Sequence, residues 1–304
     1  MLQPQSGQVF VDCTAGLGGH ACMVADRIGP SGTIVLNDMD EGNLSRAEEA
    51  VRVRMNPDDP QAAKVVVVRG NFADLPAELN TRGIVADMVL ADLGFASTQV
   101  DDPERGLSFR HSGPLDMRMD RSNPIDASEL VNTLPEKEIG DLIKRYGEDR
   151  HGRRIARKIV EARALAPIET TDQLAELIRS AVPFTKGQRS SIHPATRTFQ
   201  ALRIVVNDEL GSLERLLRSV GVGAKKARSG EMGWLSGGAR IGIISFHSLE
   251  DRPVKQSFAR MSEQGLVELV TRKPIGAGEQ EIGENPRSRS AKLRVCRVLG
   301  LTAG

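Results

Sequence analysis

The stretch from Val9 to His20 constrains the fold of this chain more than any other. A short apolar run ends on Asp12 and passes through Gly16, Gly18 and Gly19 into a helical pattern. Such a strand, glycine-rich loop and helix form the entry to a nucleotide-binding α/β unit, where glycines let a ligand approach the backbone. A dinucleotide site requires G-x-G-x-x-G, and the spacing here is different. A strand-end carboxylate suits the cationic S-adenosylmethionine better than a pyrophosphate, although a ligand-free turn is the alternative for this stretch alone.

Two further predicted strands also end on carboxylates. They cover residues 33–38 and 88–92, and a third apolar run covers residues 64–69. Because parallel strands present their carboxyl ends at one edge of an open sheet, we expect Asp12, Asp38 and Asp92 to face a common crevice.

Asp38 is the candidate for binding a ribose diol. It lies 22 positions after Gly16, close to the ~20-residue offset of the ribose-binding acid in such folds. Asp40 is the competing candidate, and the alternative for either acid is a cap on the helix that starts near Glu41.

The composition describes an ordinary globular chain. It has 304 residues, of which 39% are hydrophobic and 27% charged, so the length prior suggests about two domains. No apolar run approaches the ~18 residues of a membrane span, and no signal peptide opens the chain. The chain is therefore predicted to contact no membrane. The scarcity of cysteine predicts a cytoplasmic protein, and the scattered cysteines and histidines predict no metal site.

The strand–helix alternation stops after residue 92. Residues 110–209 predict helices only, whereas residues 240–245, 265–271 and 292–298 predict strands again. We therefore predict an α/β fold: a doubly wound, Rossmann-like sheet from residues 1–109 and 210–304, with an inserted all-helical domain at 110–209.

Local charge is more informative than the net charge of +1. Residues 144–163 carry eight Lys and Arg against three acids, and residues 285–297 carry five and no acid. Solvated helix faces are the alternative to a surface that follows RNA phosphates. The arginines that we select as RNA-binding candidates are Arg150, Arg153, Arg154, Arg157, Arg287 and Arg289.

Several long blocks, read together, resemble one family. They lie at residues 92–99, 101–109, 113–120, 193–204, 244–252 and 285–290. Over about Val9 to Val298 the chain resembles the ribosomal RNA small subunit methyltransferase H (MraW) family. The resemblance implies methyl transfer from S-adenosylmethionine to N4 of a decoding-centre cytidine in 16S ribosomal RNA, within a small ribosomal subunit or its precursor. It also implies that the helical insert recognises RNA.

By the same resemblance, the cofactor-binding positions are Gly18, Gly19, His20, Asp38, Phe72, Asp92 and Gln99. Two departures from the family stand out. The chain begins almost at the first strand, which predicts a truncated or mis-assigned start. The usual Ser-Ser-Pro-Gln reads Ala96-Ser97-Thr98-Gln99 and keeps the glutamine.

The exocyclic amine of cytosine is a weak nucleophile, so a side chain must accept its hydrogen while the nitrogen attacks. Many amino-methyltransferases carry Asp/Asn-Pro-Pro-Tyr/Phe after the fourth strand. The same place here reads Asp92-Leu93-Gly94-Phe95, which we interpret as a carboxylate without the usual aromatic wall. Asp92 is the first candidate for this catalytic role, and Asp116 and His247 are the alternatives.

Two other functional classes, and one variant of the same activity, fit parts of the pattern. A nicotinamide-dependent oxidoreductase shares the fold but requires the dinucleotide glycine spacing. A catalytically silent RNA-binding or ribosome-assembly protein keeps the basic insert without needing the strand-end acids. A mitochondrial-type counterpart would act on its own small-subunit rRNA.

Overall fold

The computed structural model describes residues 1–55, 64–182 and 193–301. The chain divides into two compact units. The first combines Met1–Gly94 with Leu210–Gly304, and the second is Phe95–Glu209.

The first unit is built on a seven-stranded sheet in the order β3-β2-β1-β4-β5-β7-β6. The first five strands run parallel, whereas β7 is antiparallel to both β5 and β6. The strand bounds are β1 Val9–Asp12, β2 Thr33–Asp38, β3 Lys64–Arg69, β4 Ala86–Asp92, β5 Leu235–Ser245, β6 Val267–Leu269 and β7 Lys292–Val298. The chain order reverses between β1 and β4, and open α/β sheets bind ligands at such a switch point.

Helices cover both faces of this sheet. They are α1 Gly19–Ile28, α2 Glu41–Arg54, α3 Leu75–Thr81, α10 Glu209–Ser229, α11 Ser248–Glu263 and α12 Glu279–Glu284. Phe10 and Ile34 lie in one hydrophobic cluster with residues of α1 and α2, while Val11 and Val35 lie in another with residues of α3, α10 and α11. Neighbouring strand residues thus point to opposite faces, and both faces are buried.

The second unit is helical. Its helices are α4 Ser97–Asp101, α5 Ala127–Thr133, α6 Glu136–Gly147, α7 Gly152–Arg163, α8 Thr171–Ala181 and α9 Ala195–Val206. Ile155 and Ile159 of α7 are fully buried, as their helical spacing predicts. A Cβ on Gly152 would lie 2.8 Å from the carbonyl oxygen of Gly140, so a glycine permits the close approach of α7 to α6.

The structure confirms the α/β fold class with its Rossmann-like sheet. Residues 95–109, which the sequence analysis placed with the sheet, group with the helices instead. The physical reason is packing: Leu107 and Phe109 join the hydrophobic cluster of the helical unit. The amide of Met117 also donates to the carbonyl oxygen of Arg105 at 3.0 Å.

Strand β5 begins five residues earlier than the predicted start at Arg240. Gly237 and Gly238 interrupt its apolar pattern, which hid the first half from sequence reasoning. No helix in the described part of the chain combines the length and the apolar character needed to cross a bilayer.

Candidate active site

The glycine loop joins β1 to α1 at the switch point of the sheet. Gly16 and Gly18 have φ values of +51° and +82°, in the left-handed region that favours glycine. A Cβ on Gly18 would lie 3.1 Å from the Cα and carbonyl oxygen of Ala47 in α2, whereas a Cβ on Gly19 would meet nothing within 4 Å. Packing alone therefore accounts for Gly18, while Gly19 faces open space at the first turn of α1.

Asp38 ends β2 and is fixed by backbone amides. Its Oδ2 accepts from the amide of Gly16 at 2.9 Å and its Oδ1 from that of Asp40 at 2.9 Å. Burial raises the pKa of Asp38, and these amides partly oppose the shift. A carboxylate offers about four acceptor positions, so acceptor capacity remains for a ligand hydroxyl.

Asp40 is the helix cap that the sequence analysis weighed for both acids. Its Oδ1 accepts from the amide of Asn43 at 3.1 Å, and its backbone is extended at the N-cap position of α2. Asp38 stands before this cap and binds the glycine loop instead. The structure thus separates the two candidates by role.

Thr14 connects the ends of β1 and β4. The amide of Asp92 donates to Thr14 Oγ1 at 2.7 Å, and the amide of Thr14 donates to Asp12 Oδ1 at 3.2 Å. Sequence reasoning missed Thr14, although a polar residue two positions after a strand-end acid was the available signal. This connection holds Asp12 and Asp92 at the same edge of the sheet.

The two carboxyl groups are strongly perturbed. Burial raises the pKa of Asp12 to about 7, with contributions from the charges of Asp92 and Asp38. Burial raises the pKa of Asp92 to about 7 as well, with a contribution from Glu250. Among the described residues, Asp92 Oδ1 is buried without a hydrogen-bond partner. A buried acceptor left unpaired costs free energy, which marks a position where a ligand donor fits.

His20 lies in the first turn of α1, which follows β1, and Phe72 lies in a turn shortly after β3. Burial lowers the pKa of His20, against the opposing charge of Glu281, so its imidazole is neutral near pH 7. Phe72 is half-buried against the core cluster. The preceding Asn71 is fixed by Ser212, whose Oγ accepts from its side-chain amide at 2.8 Å.

The remaining candidates have structural partners. Gln99 belongs to the helical unit and is 7% exposed, and its Oε1 accepts from the amide of Ala96 at 2.9 Å. Asp116 belongs to the same unit and receives two hydrogen bonds from the Arg118 guanidinium at 2.8 Å each. Burial raises the pKa of Asp116, but the Arg118 hydrogen bonds outweigh it and hold the pKa below its ordinary value. Its acceptor atoms are therefore largely occupied.

His247 sits at the entry to α11. Its Nε2 lies 3.2 Å from Glu250 Oε1, and Glu250 Oε2 accepts from the amide of Phe246 at 2.8 Å. This position is the helix-entry role that the sequence analysis offered as the alternative to catalysis for His247.

The basic candidates differ in whether another side chain already pairs with their guanidinium group. Arg153, Arg154 and Arg157 are exposed on α7 and form no ion pair among the described residues. Arg150 is exposed and donates to His151 Nε2 at 3.1 Å, and Arg287 and Arg289 are exposed beside the last strand. In the second basic window, however, Arg294 pairs with Asp251 and Arg297 with Glu268. Two of the five basic residues in this window are thus engaged in ion pairs within the protein.

A mixed seven-stranded sheet whose first five strands are parallel, with a glycine loop and clustered strand-end carboxylates at its switch point, is the architecture of a Rossmann-like methyltransferase. The family model described as the MraW methylase family matches residues 1–299. The chain belongs to that family, as the resemblance predicted, and S-adenosylmethionine is its cofactor.

Individual relatives agree. The ribosomal RNA small subunit methyltransferase H of Symbiobacterium thermophilum is 44% identical over 319 residues, which covers 100% of this chain and 94% of the relative. The protein of the same name from Citrifermentans bemidjiense is 45% identical over 313 residues, which covers 97% of this chain and 93% of the relative.

Proposed function

We propose that this protein methylates the exocyclic N4 of a decoding-centre cytidine in 16S ribosomal RNA, within a small ribosomal subunit or its precursor in the cytoplasm. Relatives named ribosomal RNA small subunit methyltransferase H support the RNA and the reaction. The observation that carries the N4 assignment is the buried, unpartnered Oδ1 of Asp92. An exocyclic amine brings the N–H donor that this oxygen lacks.

The residues of the first unit fit the cofactor. S-adenosylmethionine, when bound, supplies an electrophilic methyl group on a cationic sulfur. Asp38 has acceptor capacity for the ribose hydroxyls beyond its bonds to Gly16 and Asp40, and Phe72 offers an apolar wall to adenine. Gly19 leaves backbone accessible at the helix N-terminus, beside His20. Gly18, Asp92 and Gln99 complete the set that the family resemblance implies.

Asp92 is the group that we assign to the target amine. Its ionised Oδ1 accepts an amine hydrogen, which concentrates electron density on the nitrogen as it attacks the methyl group. After transfer the nitrogen carries an extra proton, and a carboxylate whose pKa lies near 7 is suited to receive it. Asp116 remains a weaker candidate because Arg118 already engages it. His247 stays the alternative, since Glu250 Oε1 lies 3.2 Å from its Nε2 but both ring nitrogens are buried without a hydrogen-bond partner among the described residues.

The helical unit is the element that we propose to recognise RNA. Arg153, Arg154 and Arg157 form a cationic face on α7, and Arg150 lies two residues before the start of this helix. Exposed arginines without acidic partners neutralise phosphates effectively. Arg287 and Arg289 of the first unit are the second set of candidates.

The decisive experiment is Asp92→Asn, assayed on small ribosomal subunits with the methylated nucleoside identified by mass spectrometry. The amide is isosteric but cannot take up the proton, so we expect methylation to fall ~10²–10⁴-fold. The S-adenosylmethionine affinity of the same variant, measured alongside, separates this loss from a cofactor-binding defect. In the unaltered enzyme the rate should fall as the pH is lowered through about 7, because Asp92 becomes protonated. Asp116→Asn is the matched control. A product other than N4-methylcytidine, or full activity of Asp92→Asn, contradicts the proposal.

A further inference from the structure

Buried polar atoms without partners lie at the ends of two neighbouring strands of the first unit. They are Oδ1 of Asp92, which ends β4, and both ring nitrogens of His247, two residues after β5, and they form no hydrogen bond among the described residues. The two strands are parallel neighbours, and Asp92 is paired with Ile244. The amide of Leu93 then donates to the carbonyl oxygen of Ile244 at 2.9 Å, which keeps the chain together beyond β4. Buried groups left unpaired in this way favour a polar ligand.

Glu250 of α11 determines the electrostatic surroundings of His247. This carboxylate is 3% exposed, and its Oε2 accepts from the amide of Phe246 at 2.8 Å. Its Oε1 lies 3.2 Å from His247 Nε2. In a neutral imidazole one nitrogen carries the proton and the other is an acceptor. Because a proton on Nε2 lies beside the negative charge of Glu250, that tautomer is favoured, and Nδ1 is then the acceptor.

The charge of Glu250 also acts on Asp92. Burial raises the pKa of Asp92 to about 7, and the negative charge of Glu250 adds to this shift. One buried carboxylate thus influences both of the side chains that have unpaired atoms.

Two acceptors at one edge of the sheet select the chemistry of the ligand. A primary amine brings two N–H donors, one for Asp92 Oδ1 and one for His247 Nδ1. Uracil carries a carbonyl oxygen where cytosine carries this amine. A carbonyl oxygen is an acceptor only, so it would leave both protein atoms buried and unpaired.

We propose that Glu250 is a positioning residue that holds His247 in the tautomer whose Nδ1 accepts one hydrogen of the target amine, while Asp92 accepts the other, so that the site selects cytosine over uracil. This rests on the proposed function in taking a cytosine amine as the substrate. As the nitrogen bonds to the methyl carbon, the carbon–sulfur bond breaks and its electron pair stays on sulfur. Asp92 takes the proton that the nitrogen releases, and His247 holds the hydrogen that remains on the methylated nitrogen.

The test uses Glu250→Gln and His247→Phe. Glutamine keeps an oxygen for the amide of Phe246, but its NH₂ group donates to Nε2, which moves the ring proton to Nδ1 and turns the acceptor into a donor. Phenylalanine keeps a planar ring and removes both nitrogens. Asp251→Asn is the matched control, because it removes the next carboxylate of α11, which pairs with Arg294.

We would measure the affinity of each variant for small ribosomal subunits that carry either the target cytidine or a uridine in its place. The unaltered protein should prefer the cytidine particle. This preference should fall at least ~10-fold in Glu250→Gln and in His247→Phe, because the uracil carbonyl no longer leaves the same acceptors unpaired. Their kcat on cytidine particles should fall as well, with S-adenosylmethionine affinity unchanged. Asp251→Asn should keep the preference and kcat, and lower only Tm.

An unchanged preference in Glu250→Gln or in His247→Phe overturns the proposal. So does an equal loss of affinity for both particles, which is the result of a structural role alone. If Tm shows that Glu250→Gln does not fold, the His247→Phe result decides. If the preference is unchanged while Asp92→Asn is inactive, this proposal fails and the proposed function stands. If the unaltered enzyme forms no N4-methylcytidine, the proposed function fails, and the two particles still test whether the site distinguishes an amine from a carbonyl.

Discussion

At the scale of single residues, Asp38 and Asp40 lie two positions apart but accept hydrogen bonds from different backbone amides. We therefore assign cofactor binding to Asp38 and helix capping to Asp40. Asp38 accepts a hydrogen bond from the amide of Gly16 across the switch point. Asp40 accepts one from the amide of Asn43 in the helix that it caps. Both are carboxylates near the end of β2, and only their hydrogen-bond partners distinguish them. The difference can be measured because the two roles predict opposite phenotypes.

We expect Asp38→Ala to lose ~1–3 kcal/mol of S-adenosylmethionine affinity, because a ligand diol loses a charged acceptor. Asp40→Ala is the matched control: it should keep cofactor affinity and lose ~0.5–2 kcal/mol of stability through the missing cap. Calorimetric titration and thermal unfolding check both variants. Equal cofactor affinity in the two variants would show that Asp38 does not bind the ribose.

At the scale of elements, the entry to α1 contains adjacent glycines with different surroundings. Gly18 is buried against the backbone of α2 at a positive φ, and Gly19 faces open space. A substitution at Gly18 therefore disturbs the fold, and Gly19 is the position that tests the ligand alone.

We expect Gly19→Val to weaken S-adenosylmethionine binding at least ~10-fold, since a branched side chain would occupy the space where the ligand meets the backbone. Its cost in stability should stay below ~1 kcal/mol. Gly18→Ala should lower Tm because its φ is strained for an L-residue. Isothermal titration and circular dichroism melting give the comparison, and normal binding by Gly19→Val would place the ligand elsewhere.

Helix α7 supports a second prediction at this scale. Replacing Arg153 and Arg157 by Gln should weaken RNA binding and reduce the salt slope of log K by about one unit per lost phosphate contact. Cofactor affinity should not change. Arg52→Gln with Arg54→Gln on α2 removes the same charge from the other unit, where both arginines are ion-paired. An unchanged slope in the α7 variant would exclude this helix from the RNA surface and direct attention to Arg287 and Arg289.

At the scale of the whole molecule, the sheet holds a buried acid at a cost to stability. Burial raises the pKa of Asp12 from 3.8 to about 7, so the folded protein keeps a proton that the unfolded chain has released. The contribution of Asp12 to the free energy of unfolding is therefore fully present below about pH 4. It is lost progressively as the pH rises from about 4 to about 7.

Asp12→Asn should remove this dependence while keeping an acceptor for the amide of Thr14. Relative to the unaltered protein, the variant should gain about 2–3 kcal/mol between pH 5 and pH 8. Denaturant unfolding at several pH values measures the gain. A difference that is the same at all pH values would show that Asp12 does not titrate in the folded state.

The sequence alone was sufficient for the parts that depend on local pattern. Apolar runs that end on acids predicted β1, β2 and β4, and burial on both sheet faces makes such runs nearly continuous. The spacing of Ile155 and Ile159 predicted the buried side of α7, because helical period depends on neighbours three and four residues away.

Only the tertiary structure decided how residues distant in sequence share their hydrogen bonds. The hydrogen bond of Asp38 with the amide of Gly16 and the ion pair of Arg294 with Asp251 depend on partners that other parts of the chain bring. The cation–π contact of Phe95 likewise depends on Arg203, more than a hundred residues later in the chain. Local propensity does not encode these contacts, because they form only when packing brings the elements together.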